Sequence, residues 1–329
     1  MTKLMLRRRQ AVTMTLGAGL VASGTGHAQG GFPSQPIRMI VTQTPGSNTD
    51  VVARLIAEPM AQDLGQPVVV ENRAGANGLV ATAYLKQQQP DGYTIMAVGV
   101  SLLAFNPHLY TNLPYDPATD FTYVAPITDT PFLMFASRKS GITSVARLIE
   151  LARAQPGKLT FSSAGIGNST HLSTEMIAKV AGIELLHVPY GGSAAALTAV
   201  ISGEIDVAVL PLSVALAQAT AGAVVPLASV SRERLPQLPD LPTIAQAGVD
   251  APIMPGWLAL VGPAGMPQPV TDRLNASVQK ALADPAVKRK LQEQALIALP
   301  GSAAAIRERM EADSRLWGAF IRERKLTVQ

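Results

Sequence analysis

A short apolar and β-branched run at residues 37–41 is followed, ten residues on, by a stretch in which Val51, Val52, Leu55 and Ile56 recur at helical spacing. That change of period is the strongest constraint on the fold, because it implies a strand, a tight loop and a helix, and the chain goes on to repeat the unit. Pro45-Gly46 supplies the turn, and Ser47, Asn48 and Thr49 are all residues that cap helices. The first N–H groups of a helix have no partner within it, so such a loop is a natural seat for an anion. The same residues also read simply as a turn and a cap.

The first helix should end near Leu64-Gly65, with Pro59 kinking or shortening it, and 67–71 reads as the next strand. The glycine-rich loop 72–78 leads into a helix over 79–88, and Pro90-Asp91-Gly92 turns the chain into a strand at 94–98. Three strands alternating with helices imply a parallel sheet with its loops gathered at one edge. Asn106-Pro107 and Leu113-Pro114-Tyr115 suggest a surface excursion. The apolar run 123–136, broken by Asp129-Thr130-Pro131, reads as a strand pair or as one long strand crossing between lobes. A second round follows, with strands at 158–163, 185–189 and 205–210, helices at 145–153, 171–180 and 194–202, and glycine-rich loops at 164–170 and 190–193. Another strand at 224–230, a proline-rich return crossing, a strand at 257–261 and helices at 269–283, 286–294 and 302–324 complete the chain. The last helices should pack back on the first lobe. No fixed-period repeat links the halves.

Charge and composition narrow the function. Lys3, Arg7, Arg8 and Arg9 precede an apolar stretch at 11–22, and Gly26-His27-Ala28 offers small residues for cleavage, which reads as a signal peptide cut near Ala28. Either general or twin-arginine export fits. Residues 1–28 hold four of the 27 basic residues and no acidic one, so the remaining 23 balance 23 acidic residues. A neutral mature chain with 5% aromatic residues gives no footing for nucleic acid. The absence of cysteine excludes disulfides, thiol nucleophiles and zinc-thiolate sites.

The segments Pro36-Ile37-Arg38-Met39-Ile40-Val41, Leu64-Gly65-Gln66-Pro67-Val68-Val69-Val70-Glu71-Asn72-Arg73 and Pro90-Asp91-Gly92-Tyr93-Thr94, with Leu113-Pro114-Tyr115-Asp116-Pro117, His187-Val188-Pro189-Tyr190 and Leu238-Pro239-Asp240-Leu241-Pro242-Thr243, resemble the substrate-binding proteins of tripartite tricarboxylate transporters, the Bug family. The resemblance covers nearly the whole mature chain. It implies an α/β periplasmic binding protein of the type II, Venus-flytrap kind, each lobe a mostly parallel sheet flanked by helices. The first lobe would be built from 29–128 and 230–329 and the second from 129–229. A monomer would capture a small carboxylate-bearing acid and deliver it to membrane transporter subunits, with no cofactor, metal or catalytic residue.

The resemblance places the ligand among Gly46, Ser47, Asn48, Thr49 and Asp50 of the first loop and Ser163, Gly167, Asn168, Ser169, Thr170 and His171 of the second half, with Tyr190, Gly191 and Ser193 beyond. Asn77, Ser101 and Asp206 complete the expected contacts. Ser47 stands where the family often has a second glycine and Gly191 where it often has lysine, while an acidic residue often found in the family is missing at Val209-Leu210-Pro211. These departures bear on which acid is bound.

Two other functions fit the residues. A hydrolase or isomerase would use His171 and Asp50, although Gly165-x-Gly167 lacks the third glycine of a dinucleotide fingerprint and no nucleophile elbow, His-Glu-x-x-His or Walker A loop is present. His171 reads as a ligand contact, an ordinary first-turn helix residue or a base, and Asp50 as a dipole-stabilised brace. A solute sensor docking on a receptor ectodomain is the third reading.

Overall fold

The computed structural model describes residues 31–253 and 256–328; the expected signal peptide and its cleavage point lie outside them. The first half runs β1 (Ile37–Val41), α1 (Asn48–Leu64), β2 (Val68–Asn72), α2 (Leu79–Lys86), β3 (Thr94–Gly99), α3 (Asn106–Leu109) and β4 (Phe121–Thr130). The second runs β5 (Phe132–Ser137), α4 (Val145–Ala154), β6 (Thr160–Ser163), α5 (Ser169–Ala181), β7 (Leu186–Pro189), α6 (Ser193–Ser202), β8 (Val207–Pro211), α7 (Leu212–Thr220) and β9 (Val224–Val230). The chain then returns through β10 (Gly256–Pro263), α8 (Gln268–Ala283), α9 (Pro285–Glu293), β11 (Ile297–Ala298) and α10 (Ala303–Glu323).

Two sheets result, ordered β11-β4-β10-β3-β1-β2 and β7-β6-β8-β5-β9. In each, three parallel strands stand beside one antiparallel strand that enters after a crossing: β10 between β3 and β4, and β5 between β8 and β9. The sheets are therefore mixed, with most strands pointing one way. The broken run at 121–137 is two strands in different sheets, parted at Pro131, which has no N–H to continue a ladder.

Helix α1 continues through Pro59 instead of stopping. Its buried stripe of Val52, Ala53, Ile56, Ala57, Met60 and Leu64 anchors it, and Pro59 lies on the half-buried flank. The expected surface excursion after β3 is also corrected. Residues Ser101–Phe105 form a π turn that runs into α3, and Leu102, Leu103, Ala104 and Phe105 are buried. Pro107 sits at the start of α3, where a missing N–H costs nothing. Phe105 packs against Trp317 of α10, ring centroids 5.9 Å apart, so the C-terminal helix covers this segment, as expected of a helix returning to the first half. Helix α7 has no counterpart in the sequence reading; it starts at Leu212, directly after β8 ends at Pro211, with no turn residues between them.

Packing also joins the halves behind the crossings. Phe105 and Leu109 share one apolar cluster with Phe161, Leu172 and Met176 of the second half. At the surface, Arg324 pairs with Glu175 at 2.7 Å and Glu323 with Lys179, linking the end of α10 to α5.

Candidate functional site

A cleft of about 390 Å³ lies where the loops following the parallel strands of both sheets meet the crossings. The first loop enters from the end of β1. Ser47 caps α1 by accepting from Asp50 N–H at 3.3 Å, and the Asp50 carboxylate reaches back to Gly46 N–H at 2.9 Å, a reciprocal arrangement that fixes the turn. Asp50 is 3% exposed and also accepts from Arg54 Nε and, at 2.8 Å, from Asn72 Nδ2. Burial alone would push its carboxyl up, but the bonds from Arg54, Gly46 and Asn72 hold it below the usual carboxylate range. It is a brace behind the loop and does not line the cleft. Asn48 and Thr49 do line it, and their N–H groups have no intrachain acceptor among the described residues. The Asn48 side chain donates to Thr130 Oγ1 at 3.0 Å, tying the helix start to the first crossing.

From the second sheet, Asn168 caps α5 by accepting from Thr170 N–H, and Thr170 Oγ1 accepts from Ala164 N–H at 2.9 Å. Asn168, Ser169 and Thr170 line the cleft, and the Ser169 and His171 N–H groups have no acceptor among the described residues. The third contribution is the start of α6, which has glycine at its cap and no side chain bonded to its first turn. Gly191, Ser193 and Ala194 line the cleft there.

The second loop of the first half brings Asn77, with Ser101 close by in the cleft wall. Residues 75–78 all have positive φ, 140°, 44°, 50° and 92°. Gly78 is required, because a Cβ would stand 2.5 Å from Leu102 Cδ1. Ala76 and Asn77 carry side chains in the left-handed region, at a cost of about 1–2 kcal/mol each. Strain of this kind concentrates at functional loops. Apolar walls come from Phe132, Pro211, Val214, Trp257 and Leu258, with Trp257 Nε1 donating to Asp313 of α10 at 2.6 Å. Among the described residues, no Lys, Arg, His, Asp or Glu lines the cleft. Arg73, which flanks the second loop in sequence, lies over the Tyr84 ring, 3.5 Å from its centroid.

The expected contacts therefore divide. Gly46, Ser47, Asn48, Thr49, Asn77, Ser101, Asn168, Ser169, Thr170, Gly191 and Ser193 are brought together, and the other six are not. Besides Asp50, these are Ser163, Gly167, His171, Tyr190 and Asp206. Ser163 Oγ is 2.7 Å from His187 Nε2. Gly167 is a glycine because φ is 72° and a Cβ would strike Leu109 at 2.5 Å. His171 Nδ1 accepts from Gly167 N–H at 3.1 Å, and its ring stacks on His187 at 3.9 Å, with Phe161 beyond. Burial lowers both histidines to about 4. Tyr190 donates to Glu204 at 3.0 Å, and Asp206 accepts from the Thr160 N–H and hydroxyl, pinning β6. The sequence reading missed the walls. Thr130, Phe132 and Trp257 stand at the crossings, where alternation does not reveal which face meets the cleft.

Comparison with known proteins agrees with this architecture. The family model of the tripartite tricarboxylate transporter family receptor matches residues 52–326. A UPF0065 protein of Bordetella pertussis is 37% identical over 84% of each chain. The solved structure of R. palustris Rpa4515 with adipate is 34% identical, with a TM-score of 0.84 over 88% of this chain and 97% of that one. MatC from Rhodopseudomonas palustris with bound malate is 27% identical, with a TM-score of 0.81 over 88% of this chain and 99% of that one. By family match, identity and fold alike, this chain belongs to the tripartite tricarboxylate transporter family receptors.

Proposed function

We propose that the mature chain is a monomeric periplasmic solute-binding protein that encloses a small carboxylate-bearing acid in the cleft and hands it to membrane transporter subunits, without catalysing a reaction. The lobes divide at the two crossings, at Pro131 and just after Val230, within two residues of the expected bounds 128/129 and 229/230. The observation that carries this reading is a cleft supplied with unengaged backbone N–H groups by both sheets and, among the described residues, with no ionisable side chain. Backbone donors at helix starts favour an anion without a fixed positive charge, each favourable terminus contributing up to about 2 kcal/mol. Hydrogen bonds to a charged acceptor contribute about 1.5–3 kcal/mol each. Micromolar affinity needs about 8 kcal/mol, so one loop with a single bond falls short whereas loops from both lobes suffice, even after ordering and closure take their share.

Adipate and malate in the related structures support a small organic acid as the ligand. A hydrolase built on His171 and Asp50 is disfavoured by their surroundings, one against His187 and the other bonded to Arg54 and Asn72. Native mass spectrometry of periplasmic material identifies any retained solute, and calorimetry with adipate, malate and the neutral adipamide tests the class. Equal affinity for adipamide, or no binding of any carboxylate in a wider panel, would remove the reading. N-terminal sequencing of the same material should begin near Gln29, and an intact Met1 would count against export with cleavage.

A further inference from the structure

The strained turn at 75–78 is held by two residues that do not line the cleft. Asn106, fully buried, accepts from Asn77 Nδ2 at 2.6 Å and donates to the Asn77 carbonyl at 3.2 Å and to the Tyr115 hydroxyl at 2.9 Å. Tyr115, 5% exposed, passes its own hydrogen to the Leu102 carbonyl at 2.6 Å. Both amide hydrogens of Asn106, its carbonyl and the Tyr115 hydroxyl are thus all used. The chain of bonds ties the 75–78 turn to the π turn that carries Ser101 and Leu102, so two separate stretches of cleft wall move as one piece.

We propose that Asn106 and Tyr115 are positioning residues for capture of the acid: from outside the cleft they hold Ala76 and Asn77 left-handed and so fix where those N–H groups stand. The Ala76 and Asn77 N–H groups have no acceptor among the described residues, and both residues line the cleft. Successive N–H groups in one tight turn converge on a point and form an anion-binding concavity. Relaxation to negative φ would rotate them away, and relaxation is what an alanine and an asparagine prefer when nothing holds them. Asn106 bonds both the side chain and the carbonyl of Asn77, which a space-filling residue would not do. This inference rests on the reading of the cleft as a carboxylate site.

The test compares Asn106→Ser and Tyr115→Phe with the wild type, using calorimetry with adipate or malate, whichever the wild type binds more tightly, together with amide hydrogen exchange in acid-free protein. Both variants should bind at least about ten-fold more weakly, the scale of losing one hydrogen bond to a charged acceptor. Exchange should quicken at the Gly78 and Leu79 amides, which donate to the Gly75 and Ala76 carbonyls and so report whether the turn is held. In an Ala76→Gly background, where one strained residue no longer needs holding, the Asn106→Ser loss should shrink to about three-fold or less, a coupling that a purely structural role would not produce. Unchanged affinity, or an equal loss in both backgrounds, overturns the proposal. If the wild type binds neither acid, exchange alone decides, whatever the wider carboxylate panel says of the ligand class: quickening confined to Gly78 and Leu79 upholds the clamp, and unaltered exchange ends it.

Discussion

Replacing Asn48 with proline, and separately Ser169 with proline, removes one backbone N–H from each side of the cleft. Each is the first residue of its helix, α1 or α5, where proline is well tolerated. The preceding caps, Ser47 at φ −69° and ψ 162° and Asn168 at φ −71° and ψ 157°, already have the extended backbone that a residue before proline adopts. Neither substitution should disturb the fold. A lost bond to a carboxylate at about 1.5–3 kcal/mol, with 1.4 kcal/mol per ten-fold change, weakens binding by about 10- to 150-fold. Asn48→Pro also deletes the side-chain bond to Thr130, so Asn48→Ala isolates the side chain, and Ser169→Ala does the same for the bond to Asn168. Calorimetry with adipate and malate reads the affinity, and urea unfolding checks the fold. A proline variant that stays folded and binds like the wild type would show that its loop is no part of the site, and the two-sided account of capture would fail with it.

Three further outcomes are expected. His171 and His187 have folded-state values near 4 against 6.5 for the unfolded chain, so between pH 6.5 and 4 the unfolded state binds more protons. Stability is fully present above pH 6.5 and should fall with pH below it, by up to about 1.4 kcal/mol per unit for each ring. Urea unfolding at pH 7, 6 and 5 should show a steeper fall than in His171→Asn, and parallel profiles would count against a buried neutral pair. Gly167→Ala should destabilise by about 1–2 kcal/mol through its left-handed backbone alone, with the Leu109 collision adding to it, and an unchanged melting temperature would contradict that packing. Solution scattering should report a smaller radius of gyration on addition of the bound acid, since a ligand held from both sides shifts an open ensemble towards closed. The same radius at saturation would remove hinge closure.

Much of this was legible in the chain because period and punctuation are local signals. Residues 37–41 and 224–230 announced their strands and Ser47 the start of α1, whereas the glycine-rich loop 164–170 hid the cap at Asn168 and put the start of α5 two residues late, at His171. What stayed hidden depends on partners distant in sequence. His171 stands beside a site loop in sequence, yet its ring turns to His187, sixteen residues on and one strand away. Asp50 looked equally available until Arg54 and Asn72 claimed it. Asn106-Pro107 reads as loop punctuation, and only the approach of α10 makes that segment interior.

The placement of β10 between β3 and β4 has a consequence for the order in which the protein can form during synthesis. The second sheet has all its strands once Val230 has been made, whereas the first keeps a gap until Pro263. Through that interval β3 and β4 each present an unpaired edge, the condition under which strands pair wrongly. The half that leaves the ribosome first is therefore the last to close. A released chain that ends shortly after residue 230 should already carry a protease-resistant fragment spanning 132–230, while β1 to β4 remain open to cleavage.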